Sequence, residues 1–121
     1  MKLVKVVALL GIFIIGCQSK PIIEHFDVEA WQNDETGCNN VRGSLVETLM
    51  LQKEKLYGMG QEDIQDILGK PDRHELYSRN KKSFTYFVSP GPDCSTPSDP
   101  QLKLIVRFDG IGRAKEIIYY K

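Results

Sequence analysis

A chain of 121 residues, 41% of them hydrophobic and 26% charged, is long enough for one folded domain and no more. Sixteen basic and 16 acidic side chains give a formal net charge of +0. The pair Lys81-Lys82 reads as a solvated turn, so the basic stripe of a nucleic-acid binder is missing. None of the three cysteines has a second ligand at Cys-x-x-Cys spacing, which argues against zinc.

Lys2 and Lys5 precede an apolar run from Val6 to Ile15. The run has the length of a signal-peptide core and is too short to span a bilayer. It ends in Ile14-Ile15-Gly16-Cys17, which resembles the bacterial lipobox. That resemblance implies cleavage after Gly16 and acylation of Cys17 on its sulfur and its new amino terminus. The alternatives are an ordinary secretory signal or an uncleaved anchor. Several acyl chains on one cysteine hold a protein at the bilayer where a single chain does not. Gln18, in place of an aspartate after the cysteine, implies the outer membrane if the host is diderm. The expected division is a signal peptide over 1–16, a lipidated tether and polar arm over 17–40, and an α+β domain over 41–121. Loss of Lys2 and Lys5 leaves the mature part slightly acidic.

With Cys17 modified, Cys38 and Cys94 are the one intramolecular disulfide pair in an oxidising, exported compartment. Two free thiols are the alternative. The segment from Gln18 to Ile23 is a tether carrying Pro21. Asp27 is placed to cap a helical turn reaching about Gln32. Phe26 and Trp31 are pins for the arm, with a ligand cage as the other reading. Asn33 to Gly37 is turn chemistry. Asp27, Asp34 and Glu35 lack the alternating-oxygen spacing of a calcium loop.

Ser44 and Glu47 have the spacing of a capping box. Leu45, Val46, Leu49, Met50, Lys53 and Leu56 then keep helical period, predicting a helix from Ser44 to Tyr57. Gly60 is the expected N-cap of a second, short helix, with acidic Glu62 and Asp63 in its first turn. Ile64, Ile67 and Leu68 share a face, and Gly69 and Pro71 end the helix. A short connection makes the two helices a compact pair. The period then changes to alternation. Strands are predicted over Arg73 to Tyr77, around Phe84, Tyr86 and Val88, over Leu102 to Phe108, and over Ala114 to Tyr120. Asp109 to Gly112 is a hairpin turn. Ser89 to Gln101, with four prolines, is a long loop.

Two N-terminal helices followed by three or four antiparallel strands imply an α+β two-layer sandwich. The face bearing Leu104, Val106 and Phe108 should meet the helices, and the other should lie partly open. Gly58-Met59, Ile64, Leu68 to Pro71, Phe84-Thr85-Tyr86 and Leu104 to Asp109 with Gly112 together resemble the SmpA/OmlA family. That family is the small lipoprotein of the outer-membrane barrel-assembly machinery, with a β-lactamase-inhibitor-like fold. The resemblance spans Ser44 to Tyr120. Gly60 stands where that family usually has Ser or Thr, and the arm with Cys38 and the loop with Cys94 lie outside its pattern.

These features predict a non-enzymatic interaction module, anchored by its lipid and meeting an envelope protein. The loop is the expected contact surface, through Pro90, Pro92 and Asp93, with Trp31 as a further candidate. An inhibitor or immunity-type protein that blocks an enzyme is the alternative, using that loop or the open sheet face. His25 and His74 sit in no catalytic motif, and no nucleophile elbow or phosphate loop is present. No cofactor, metal or small-molecule substrate is expected.

Overall fold

The computed structural model describes residues 22–121, so the leader, Cys17 and most of the tether lie outside the described residues. Three helices precede four strands: α1 (Val28–Asn33), α2 (Val41–Leu51) and α3 (Gln61–Leu68), then β1 (Arg73–Ser78), β2 (Lys81–Phe87), β3 (Lys103–Phe108) and β4 (Ala114–Tyr120). Short 3-10 turns follow α1 at Glu35–Gly37 and α2 at Lys53–Leu56. The strands form one antiparallel meander in the order β1-β2-β3-β4. This is the expected α+β arrangement, with the helices N-terminal to the sheet.

Alternation decides which sheet face is covered. In the register, Phe84 stands opposite Val106, which stands opposite Ile117, and Tyr86 stands opposite Leu104. All five are buried, and with Phe108 they meet Val46, Leu49, Ile64, Ile67 and Leu68 of the helices in one core. The T-shaped Phe84–Phe108 pair, 4.7 Å between centroids, sits within it. Burial of this apolar surface is what holds helices too short to persist alone.

The arm belongs to this body. Ile23, Phe26 and Trp31 are buried in the same core cluster, so no packing boundary falls at residue 41. Asp27 caps α1 by accepting the Ala30 amide at 3.0 Å, as its position predicts. The expected compact pair of α2 and α3 is joined through α1, which packs against both. The Gln32 side-chain amide donates to the carbonyls of Asp66 and Ile67 at the end of α3, at 3.0 and 3.1 Å.

The helix starts differ from expectation at α2. Ser44 lies inside the helix and donates to the Val41 carbonyl, so it is not a cap. The carboxylate of Asp34 takes that role from a distance, accepting the amides of Asn39 at 2.8 Å and Arg42 at 3.0 Å. One orphan donor of the first turn, the Arg42 amide, is thereby met by a residue that precedes the helix by seven positions. The helix also ends at Leu51, and the Lys53–Leu56 turn finishes the segment. Gly60 is the N-cap of α3 as expected, and Gly69 follows its last residue. Gly69 has φ 80 and ψ −177, an extended glycine conformation and not a left-handed helical one. A Cβ there would come within 2.9 Å of Gln32 Cγ.

The second sheet face carries no helix. Its middle strand is nonetheless shielded: Ser83, Thr85 and Phe87 are all buried. Long side chains from the neighbouring strands cover them. Arg73 stacks on Phe87 at 5.4 Å, and Arg107 stacks on Tyr77 at 5.2 Å.

Candidate functional site

The loop from Ser89 to Gln101 has no regular structure, yet it is fastened at many points. The Cys38–Cys94 disulfide ties it to the turn that precedes α2, closing 56 residues of chain with Cα atoms 5.5 Å apart. The Gly91 amide donates to the Thr36 carbonyl at 2.9 Å. Gly91 also lies flat on the Phe87 ring, where a Cβ would come within 2.9 Å of two ring carbons. The two ends of the loop are clasped by serines. Ser89 and Ser98 hydroxyls are 2.6 Å apart, Ser98 donates to the Pro90 carbonyl at 2.9 Å, and Ser89 Oγ accepts the Leu102 amide at 2.8 Å.

The opposing wall is as tightly set. Gly37, at φ 69, brings the turn against the end of β2; a Cβ there would lie 2.6 Å from the Ser89 carbonyl oxygen and 2.7 Å from that of Phe87. Only glycine permits that approach together with that backbone. Beneath it lies a buried ion pair. Arg42 Nη1 stands 2.6 Å from Asp72 Oδ2 and also donates to the Phe87 carbonyl at 3.1 Å. Arg42 Nε donates to the Trp31 carbonyl at 2.9 Å. Asp72 in turn accepts the amides of Thr36 at 3.0 Å and Phe87 at 2.8 Å. One guanidinium and one carboxylate therefore join the end of α1, the start of α2, the Cys38 turn and the end of β2. The pair is compensated by hydrogen bonds on both partners, the condition under which buried charge is tolerated.

Two aromatic rings enclose the guanidinium, Trp31 at 5.2 Å and Tyr86 at 5.8 Å. Burial pushes the Tyr86 phenol well above its ordinary range, with Arg42 partly opposing the shift. Its hydroxyl donates to the Gly69 carbonyl at 2.8 Å. Trp31 is 0% exposed. It therefore leaves the set of partner-contacting candidates, because Phe26, Tyr86 and Arg42 close around it. Pro92 and Asp93 are exposed at the outer turn of the loop, and Pro90 is half-buried at its base.

The sequence reading does not single out Arg42, Asp72 or Asp34. A signal for Arg42 exists: the stripe Val46 and Leu49 extends back by four residues to it, and all three are buried. His74 lies on exposed β1 with its ring edge-on to Phe84 at 4.9 Å, and Glu75 belongs to the opposite face. Among the described residues, no group of three His, Cys, Asp or Glu is placed to hold a metal ion, and no helix is long and apolar enough to cross a membrane.

No protein-family model matches the chain, and no curated protein matches it. A solved structure described as an osmotically inducible lipoprotein, OsmE, is similar to it at 20% identity with a TM-score of 0.41, over 54% of this chain and 68% of that one.

Proposed function

We propose that this chain is a lipoprotein anchored through Cys17 at the outer membrane, and that its body is a non-enzymatic module for binding an envelope protein. The contact surface in this reading is the outer turn of the Ser89 to Gln101 loop, with Pro92 and Asp93 at its centre. The observation that carries the reading is the fastening of that loop. A segment without helix or strand is held by a disulfide, a serine clasp and a glycine contact, while its tip stays exposed. Such preorganisation lowers the ordering cost of association and serves little purpose in a plain linker. Support for the anchor comes from the Ile14-Ile15-Gly16-Cys17 sequence.

Two measurements test the reading separately. Mass spectrometry of the mature protein from its host should show acyl chains on Cys17; an unmodified Cys17 or a retained leader removes the anchor. Mild cross-linking in intact cells, followed by solubilisation, should recover a specific partner. Turnover by the purified protein, lost in His74→Ala, would replace the module with an enzyme.

A further inference from the structure

The geometry points to a trough on the uncovered sheet face that takes an extended segment of a partner protein with acidic residues at alternate positions. This rests on the reading of the chain as a protein-interaction module and names the chemistry of one partner segment.

The trough has a volume of about 500 Å³. Its floor is β2, with the short side chains of Ser83 and Thr85 and the ring of Phe87. Its walls rise from β1 and β3. Strands lie about 4.8 Å apart, so the β1 and β3 backbones stand about 10 Å apart, and a docked extended chain runs parallel to β2 over its buried floor, between the side chains of the two walls.

Register sets the charges. Arg107 pairs with Ser83, Arg73 pairs with Thr85, and Lys103 pairs with Phe87. Each successive outward-facing residue of β2 therefore carries one cation beside it. The cations recur at two-residue strand spacing, about 6.6 Å. An extended peptide puts every second side chain on the same side at that same interval. Acids at alternate positions thus meet Arg73 and Lys103 at the Thr85 and Phe87 positions and Arg107 at the Ser83 position, where Glu75 stands on the other wall, and neutral residues between them point away. Glu75 is the single acid lining the trough, so the lining is net cationic on a body whose mature charge is slightly acidic.

The Arg107 side chain adds an unspent donor. Its Nε is buried and has no hydrogen-bond partner. Its Nη1 lies 3.6 Å from Glu116 Oε2, whose side chain is 44% exposed, which is a loose pair. The Tyr77 ring holds the guanidinium in place, and the Tyr77 hydroxyl is itself fixed to the Phe108 carbonyl at 2.8 Å. A carboxylate can accept N–H bonds from the exposed Nη edge of a guanidinium held this way, with a fixed direction that a lone surface lysine does not offer.

The test uses a fluorescein-labelled alternating Glu-Val octapeptide, with its Gln-Val counterpart as control, titrated by anisotropy against the full mature chain in detergent. Saturable binding of the Glu-Val peptide is expected, weakening as salt rises. Arg73→Glu, at an exposed position, and Lys103→Glu, at a half-buried one, should each weaken it tenfold or more while circular dichroism shows the fold retained. Equal binding of the Gln-Val peptide, or unchanged affinity in both variants, overturns the proposal. So does a face that binds phosphatidylglycerol vesicles or a second copy of the chain and not the peptide. If cells yield a cross-linked partner as readily with both variants as with the parent chain, the trough is idle and the interaction reading stands. If the peptide binds as described while cells yield no partner, the trough stands and that reading falls.

Discussion

Arg42 and Asp72 form an ion pair at 2.6 Å, with 1% and 5% of their side chains exposed, where the helices, the Cys38 turn and the end of β2 converge. Each partner also spends its remaining hydrogen bonds on backbone groups: the carbonyls of Trp31 and Phe87 for Arg42, and the amides of Thr36 and Phe87 for Asp72. Exchanging the pair for apolar residues would therefore strip the Thr36 and Phe87 amides of their acceptor and the Phe87 carbonyl of a donor, and leave the Trp31 carbonyl only the Asp34 amide at 3.3 Å, unlike the buried pairs that such exchange leaves unharmed.

Arg42→Met should accordingly cost about 3–5 kcal/mol, because it leaves the Asp72 carboxylate buried without its cation. Adding Asp72→Asn should restore only part of that loss, since the Phe87 carbonyl still lacks its guanidinium donor and the Trp31 carbonyl keeps only the Asp34 amide. Denaturant unfolding with the disulfide intact measures both. A double variant as stable as the parent chain would show that the backbone bonds contribute nothing.

Replacing both Cys38 and Cys94 with serine should lower stability by about 2–4 kcal/mol. The loss should be uneven across the molecule. Amides of Gly91, Cys94 and Ser98 should exchange with solvent much faster, while those of β2 and β3 keep their protection, because the core is sealed without the loop. Uniform loss of protection would mean that the loop and the core unfold as one unit.

The glycines separate by their neighbours. Gly37→Ala should cost about 1–2 kcal/mol for its positive φ alone, and more for the carbonyl oxygens at 2.6 and 2.7 Å. Gly60→Ala should cost no more than about 1 kcal/mol, the N-cap preference alone, since Gly60 has φ −72 and nothing lies within 4 Å of an added Cβ. Thermal melting of the two variants side by side gives the contrast, and equal shifts would contradict it.

The hairpin turn between β3 and β4 should respond to acid. Backbone amides of Arg113 and Ile111, each donating to Asp109 Oδ1 at 3.0 Å, hold the Asp109 carboxyl below its ordinary range. A lowered folded-state pKa means that this contribution is complete above the unfolded value, near 4, and is lost as pH falls through the folded one. Exchange at the Ile111 and Arg113 amides should rise in that acid window. In Asp109→Asn the same amides should show no such step.

Much of the fold was legible because two periods are written plainly. Ile64, Ile67 and Leu68 fix the buried side of α3, and alternation through Leu104, Val106 and Phe108 fixes that of β3. What escaped was action at a distance. Asp34 reads as a turn residue, and only the folded chain brings its carboxylate onto α2, so the nearer Ser44 and Glu47 look like the cap. Arg42 goes unmarked because its partner Asp72 lies 30 positions away. Trp31 reads first as a pin for the arm and second as a contact residue, and the packing of Phe26 and Tyr86 decides for the pin. In the loop, Cys38 and Cys94 were visible as a pair, whereas the Ser89–Ser98 clasp was hidden by the abundance of serine and proline around it.

Placing a photo-reactive residue at position 93, and a control at Ile111 on the exposed hairpin, tests most directly whether the fastened loop is the surface that meets a partner. In living cells the account predicts one discrete adduct from position 93, none from position 111, and loss of that adduct when Cys38 and Cys94 are replaced by serine. The same adducts from both positions, or none from position 93 at any lamp exposure, would contradict it.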